Sequence, residues 1–415
     1  MPELNVSPGG LNVRRNTILL AAIMGVNSCL FQLAAALNAL TFVGVTGIEG
    51  LLGLGPAIFL AASGLAALPA GRAMDRFGRT PVIVTGFVAA ALGCVLIAIS
   101  AETESTAAIV PGLLLMGGAG AVALLIRTAA GDMYPPGRRA RGISYVLFGS
   151  VFGAILGPAV FSPLFSGKEV ELDTLTLPWL AGAGLALLAL VLALFVRPDP
   201  KRIAEAIGAH ANEPVAAAAP LREILRRPGV IPALLAALAS FAVMVSVMNL
   251  AGYVVVEHHH HERQDVFPVI GAHVFGMFAL VLFIGPLIDR IGRMTSLWSG
   301  LVLMAASCIG LSWFESVLGS AILLFGLGLG WNLSFVAATA QLADRAAPSE
   351  RGKLLGFNDQ ISALTGAALA LLGGYALDTL GVLALAIGAT VLVLLPLIRL
   401  LRRDEAVATI APRRT

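Results

Sequence analysis

"GRAMDRFGRTP", residues 71–81, returns later in the chain as "GPLIDRIGRMT", residues 285–295. Gly71, Asp75, Arg76, Gly78 and Arg79 keep the spacing of Gly285, Asp289, Arg290, Gly292 and Arg293, all five at one constant offset. A second echo pairs "GDMYPPGRRARG", residues 131–142, with "ADRAAPSERGK", residues 343–353. Self-similarity at a fixed offset marks a chain built from repeated structural units, here two halves. Each charged motif sits between long apolar runs, so what those runs are settles what the motifs are for.

The 415 residues are 58% hydrophobic and only 12% charged, against roughly 25% charged in a soluble domain. A run of about 20 apolar residues is long enough to cross a bilayer as a helix. About twelve such runs are present, approximately 17–43, 48–71, 81–100, 107–131, 143–165, 177–196, 230–256, 266–288, 295–314, 317–341, 356–378 and 381–401. They are rich in glycine (46 residues) and alanine, as close helix packing in lipid requires. They are too long and continuous for the alternating strands of a membrane barrel. The polar start "MPELNVSPGGLNVRRNT" and the spanning length of the run after it argue against a cleaved signal peptide. Cys29, Cys94 and Cys308 fall in separate runs and read as buried small residues, not as a disulfide framework.

The long polar interruption, "RPDPKRIAEAIGAHANEPVAAAAPLREILRRPGV" at 197–230, divides six spans from six and is expected to hold one amphipathic helix near Lys201–Ile207. The domain reading is a first bundle over 1–196, a cytoplasmic linker over 197–229, and a second bundle over 230–415 ending in a short cytoplasmic tail. With the N-terminus inside, the inner loops carry most of the Lys and Arg, including Arg72, Arg138, Arg222 and Lys353, while the outer loops carry only Lys168 and Arg263. That asymmetry orients both termini toward the cytoplasm. It also explains the net charge of +3 without nucleic acid, which needs a basic face on a soluble module.

The G-x-x-x-D-R-x-G-R pattern resembles the loop 2–3 signature of the major facilitator superfamily, and its copy in loop 8–9 extends the resemblance over both halves. It implies an all-α membrane protein of twelve transmembrane helices in two pseudo-symmetric six-helix bundles. It also implies that Asp75, Arg76, Arg79, Asp289, Arg290 and Arg293 brace neighbouring helix ends in one conformation and release them in another. Physically, a carboxylate at a helix end meets arginines and a helix N-terminus, contacts that a rocking motion breaks. Arg127, at membrane depth, reads as functional or paired, with Asp132, one and a half turns on, as its candidate partner. "GAILGP", 153–158, resembles part of the span-five motif of drug–proton antiporters, but Phe161 and Ser162 stand where its glycine pair follows. Carboxylates within the spans are sparse, Asp359 being the clearest.

Two further patterns bear on the cargo. Met244 and Met248 in span seven, and His273 and Met277 in span eight, are each spaced i, i+4 on one helix face. Thioethers select Cu(I) and imidazole is compatible with it, although methionine also fills packing gaps. M-x-x-x-M followed by H-x-x-x-M resembles the CcoA-like copper importers of this superfamily. That resemblance implies Met244 and His273 as the essential copper ligands and Met248 and Met277 as auxiliary ones, in a branch that also contains a riboflavin carrier. The outer loop "EHHHHERQD" places His258, His259, His260 and His261 above them, either to capture metal or as a solvated turn. Asn27, Gln32, Asn249, Trp331, Asn332, Asn358 and Asp359 lie in helices that, by the same resemblance, line the central cavity.

The sequence is therefore read as a monomeric secondary transporter of the bacterial inner membrane, working by alternating access, with lipid around it and no cofactor. Copper import is the leading cargo, a small organic solute such as a flavin or drug the alternative, and a non-transporting metal sensor or assembly factor a third. No enzyme is expected: nucleophile–base pairs, nucleotide-binding motifs and H-E-x-x-H are missing.

Overall fold

The computed structural model describes residues 12–47, 54–153, 173–210, 219–253, 266–314, 316–368 and 387–395. In chain order the helices are α1 (Val13–Thr46), α2 (Leu54–Phe77), α3 (Arg79–Thr103), α4 (Thr106–Leu124), α5 (Ile126–Asp132), α6 (Arg139–Leu147) and α7 (149–153). They continue with α8 (Thr176–Leu194), α9 (Pro200–His210), α10 (Leu221–Arg226), α11 (Val230–Tyr253), α12 (Val266–Phe278), α13 (Val281–Ile291), α14 (Arg293–Gly310), α15 (Val317–Asp344), α16 (351–368) and α17 (387–395). The expected loop His258–His261, much of spans five and twelve, and the outer end of span eleven lie outside the described residues. So do the side chains of Met248 and Asn249.

The fold is all-α and membrane-spanning. Among the described residues six helices are long and apolar enough to cross a bilayer, and α12 and α13, bent by 47° at a short break, make a seventh. α4 and α5 form one span, Thr106–Asp132. These helices are hydrophobic on nearly every side, as lipid and helix neighbours both demand, and leucines such as Leu187, Leu188 and Leu318 remain exposed on the outer surface.

Each motif glycine has a structural reason. Gly78 and Gly292 stand immediately before α3 and α14 with φ of 100° and 94°, a region that a side chain enters only at a cost. They turn the chain sharply from one span into the next. Gly71 and Gly285 serve close approach instead. A Cβ on Gly71 would stand 2.0 Å from the Gly352 carbonyl oxygen, and one on Gly285 would stand 2.7 Å from Ser144 Cβ and 2.9 Å from the Ala140 oxygen. The first half's α2 thus lies directly on the second half's α16, and the second half's α13 lies on the first half's α6. The two crossings are images of each other.

The linker is ordered at both described ends. Asp199 accepts hydrogen bonds from the Arg79 and Thr80 amides at 3.1 and 2.8 Å, capping α3, and Lys201 Nζ donates to the Asp75 carbonyl. At the other end Arg227 forks onto both oxygens of buried Glu350 at 2.6 and 2.9 Å.

Candidate functional site

The charged motifs converge on one end of the helix bundle, here called the basic end. Asp75 accepts from the Gly352 and Lys353 amides at 2.9 and 2.6 Å, the exposed donors at the N-terminus of α16. Arg79, fully buried, donates to Asp75 at 2.9 Å, to Asp132 at 2.7 Å and to the Pro348 carbonyl at 2.7 Å. Asp132 takes its second cation, Arg351, at 2.7 Å.

The other motif copy builds the same network from the opposite half. Asp289 accepts from the Arg141 amide at 3.1 Å, near the start of α6, and Arg293 bonds Asp289, Asp344 and the Pro136 carbonyl. Asp344 takes Arg139 at 2.5 Å. Asp132 and Asp344 are separated in sequence by the same interval as Arg139 and Arg351. Sequence reading noted this second echo but did not place Arg139, Asp344 or Arg351 in the machinery; their shared interval was the available signal. Both halves contribute to every layer, so in this conformation the basic end is tied shut.

Two sequence expectations change here. Arg76 and Arg290 are exposed and take no part in the network; Arg76 lies over the Phe77 ring at 5.1 Å. One residue beyond the aspartate is about 100° further round the helix, which turns both arginines off the interface. Arg127, in turn, does not pair with Asp132. Five residues separate them, about 140° of rotation, so the two side chains leave α5 in different directions. Arg127 pairs across the halves with Asp359.

That pair forms the next layer inward. Arg127 lies five residues, about 7.5 Å of helix, inside the end of its span. It is 1% exposed and also donates to Thr339 Oγ1 and the Leu124 carbonyl at 3.1 and 2.6 Å. Its guanidinium sits 4.6 Å over the Phe335 ring, and Phe335 stacks on Trp331 at 4.7 Å and 18°. One turn is about four residues, so these three groups form a column running from the closed end toward mid-membrane. Around the column lie buried polar atoms without a hydrogen-bond partner among the described residues: Trp331 Nε1, Asn358 Oδ1, Asp359 Oδ2 and Thr128 Oγ1. Such atoms call for a partner that the described residues do not supply.

The remaining expected cavity residues are placed differently. Asn27 is partly buried on α1, and Gln32 spends its amide on the Gly153 carbonyl at 2.8 Å, inside the first half. Asn332 donates to the Met277 carbonyl.

For the soft-donor residues, α12 packs along α15, where a Cβ on Gly276 would strike the Phe325 carbonyl at 2.2 Å. Among the described residues α11 and α12 both pack on α15, where the small residues Gly276 and Gly328 let α12 approach closely. His273 is fully buried there, with Nδ1 2.9 Å from the Leu324 carbonyl. A carbonyl only accepts, so Nδ1 carries the proton and a neutral ring leaves its lone pair on Nε2. That nitrogen is buried and unpartnered among the described residues. Met244 and Met277 are partly buried against the core. Among the described residues no group of three or more His, Cys, Asp or Glu is arranged to hold a metal ion.

The family model described as Major Facilitator Superfamily matches residues 17–370 and, a second time, 266–414. The chain belongs to that superfamily. This facilitator is a multi-pass membrane transporter and not an enzyme. It is 32% identical over 399 residues to the "Riboflavin transporter RfnT" of Brucella anthropi, covering 95% of this chain and 98% of that protein. It is 31% identical over 360 residues to the "Uncharacterized MFS-type transporter YdeG" of Bacillus subtilis, covering 85% and 84%. Among solved structures, the human organic anion transporter MFSD10 superposes with a TM-score of 0.72 over 93% of this chain and 98% of that one, at 16% identity. That likeness is one of fold.

Proposed function

We propose that this facilitator carries a small planar organic solute of the flavin type across the bacterial inner membrane, as a monomer, by alternating access. The observation that carries the reading is the Arg127–Phe335–Trp331 column with unpartnered amide, indole and carboxylate atoms beside it. A flat heteroaromatic solute offers a π-face to such rings and hydrogen-bonding edges to such atoms. The riboflavin transporter RfnT, similar to this chain along nearly its whole length, favours the same cargo. Positive-inside bias puts the basic end in the cytoplasm, so the conformation described loads from outside.

Copper import is the second reading, supported by the buried lone pair on His273 Nε2 with Met277 one turn along the same helix. One experiment separates the two. Purified protein in proteoliposomes is assayed for uptake of labelled riboflavin and, separately, of radioactive copper under reducing conditions. Riboflavin uptake that falls at least tenfold in Trp331→Ala and survives in His273→Ala supports the solute reading. Copper uptake lost in His273→Ala and Met244→Ala, with no riboflavin uptake by the wild type, transfers the assignment to copper. Cargo that binds without accumulating in the vesicles counts against both.

A further inference from the structure

The basic end clasps its own backbone with cations, mostly arginines. Arg79 holds the Pro348 carbonyl, Arg293 the Pro136 carbonyl, Arg139 the Ala343 carbonyl and Arg227 the Arg345 carbonyl. The chain has 24 arginines and three lysines. One lysine, Lys168, lies outside the described residues. The other two, Lys201 and Lys353, stand at the basic end, and both touch Asp75. Lys201 Nζ donates to the Asp75 main-chain carbonyl at 2.6 Å, and the Lys353 amide donates to the Asp75 carboxylate at 2.6 Å. Lys353 Nζ in turn donates to the Ala219 carbonyl at 2.5 Å.

Two comparisons set these lysines apart. The interval that carries Asp132 to Asp344 also carries Arg141 to Lys353. The Arg141 amide meets Asp289 as the Lys353 amide meets Asp75, so one copy of the brace uses arginine where the other uses lysine. The second comparison is of place. Lys201 clips the start of the linker to α2, and Lys353 clips the far end of the linker, at Ala219, to α16. Both side chains are partly exposed, Lys201 at 19%. The two residues of the basic end that carry an amine are therefore the two that fasten the linker by a side-chain nitrogen at each end.

We infer that Lys201 and Lys353 are acyl-acceptor sites, and that their modification by a small acyl phosphate releases the linker from the closed end. The inference rests on the basic end facing the cytoplasm, where such a donor is met, and not on which solute is carried. The lysine ammonium first gives a proton to water, which bares an electron pair on Nζ. That pair attacks the acyl carbon. An N–C bond forms, the C–O bond to phosphorus-bound oxygen breaks, and phosphate leaves with the bonding pair. A second Nζ proton passes to water, and nothing is oxidised or reduced. The product is a neutral amide with one N–H in place of a cation with three. Arginine holds carbonyls equally well, but its guanidinium keeps its proton and does not follow this route.

Acylation weakens both clips. Each charge-assisted bond to a carbonyl gives way to a neutral one of roughly half its strength. The acyl group must also find space where Nζ already touches a carbonyl oxygen. At Lys201 the lost charge sits at the C-terminal end of α2, where unpaired carbonyls favour a cation. The linker keeps its other anchors, Asp199 on the α3 amides and the Arg227 fork on Glu350. It loosens without detaching altogether.

The test treats the full chain in nanodiscs with acetyl phosphate at about pH 8, where amines shed protons more readily, with acetate plus inorganic phosphate as the unreactive control. Peptide mass spectrometry reads acetylation at Lys201 and Lys353, and hydrogen exchange reads peptides covering 197–207 and 219–230. In the acetylated wild type, exchange in both peptides rises on the order of tenfold, the weakening of one charge-assisted bond at each end. Lys201→Arg combined with Lys353→Arg keeps both clips and shows no rise after treatment. Lys201→Gln combined with Lys353→Gln shows the rise without reagent. Acetylated wild type with unchanged linker exchange overturns the inference, as does a double arginine variant that loosens as much as the wild type. Folded wild type acetylated at neither lysine, under conditions that acetylate the urea-unfolded chain, overturns it equally. The wild-type arm needs no variant, so it decides where a substituted chain fails to fold. No solute enters the measurement, so its outcome is independent of the cargo assignment.

Discussion

Gly71→Ala is the sharpest perturbation of the closed state. The new Cβ would meet the Gly352 oxygen at 2.0 Å and its carbonyl carbon at 2.7 Å, both backbone atoms that cannot rotate away. Ordinary contact begins at 3.4 Å, so α2 and α16 must part by well over an ångström. The Asp75 bonds to the Gly352 and Lys353 amides, now 2.9 and 2.6 Å, then stretch beyond bonding range. Each is a bond to a charged group worth about 1.5–3 kcal/mol, so the closed state loses about 3 kcal/mol or more. Alanine's better helix propensity applies in both conformations and cancels. A shift of about 3 kcal/mol is on the order of a hundredfold in the opening equilibrium. The readout is alkylation of Thr128→Cys, buried just inside the closed network, by an impermeant maleimide from the basic side. The rate should rise about a hundredfold when Gly71→Ala is added. Gly285→Ala, which meets Ser144 at 2.6 Å and the Ala140 oxygen at 2.9 Å, threatens the Asp289–Arg141 amide bond and should raise the rate only about tenfold. An unchanged rate in Gly71→Ala refutes the steric reasoning.

Other outcomes follow from the same geometry. Asp132 is fully buried between two arginines, so Asp132→Asn leaves buried Arg351 without a carboxylate, while Arg79 keeps Asp75, at a cost of about 3–5 kcal/mol. Asp344, 22% exposed, should cost clearly less as Asp344→Asn; equal losses of thermal stability would count against burial as the cause. At the linker, burial pushes the Glu350 carboxyl up, but the Arg227 fork and the Ala219 and Ala347 amides outweigh it and hold the group below its usual value. The stability it contributes is therefore full above about pH 4.3, the unfolded value, and is lost as pH falls through the lowered folded value. Limited proteolysis at residues 219–230 should be flat from pH 7 to 5 and accelerate only in stronger acid, and Glu350→Gln should remove that acid step. Acceleration between pH 7 and 5 would mean another group controls the linker.

What the sequence made legible were features that recur or persist: long apolar runs, and charged motifs that return in the second half with their spacing intact. Gly71, Gly78, Asp75 and Arg79 stand out because their copies do. Unrepeated contacts stayed hidden. The Arg127–Asp359 pair joins residues 232 apart in sequence and depends on how the two halves face each other, so local spacing pointed to Asp132 instead. The Trp331–Phe335 stack follows an i, i+4 spacing that was visible, but spacing alone did not show that Arg127 would cap it. For His273, spacing placed it on one helix face with Met277, but its hydrogen-bonding state depends on the Leu324 carbonyl, 51 residues away.

The most direct test of the account is the distance across the basic end. Spin labels on Arg76→Cys and Arg345→Cys, both exposed positions, report it by electron–electron dipolar spectroscopy in nanodiscs. The account predicts a dominant short distance in the wild type and a second, longer population that grows when Asp75→Asn and Asp289→Asn are combined. One short distance, unmoved by losing both motif carboxylates, would contradict it.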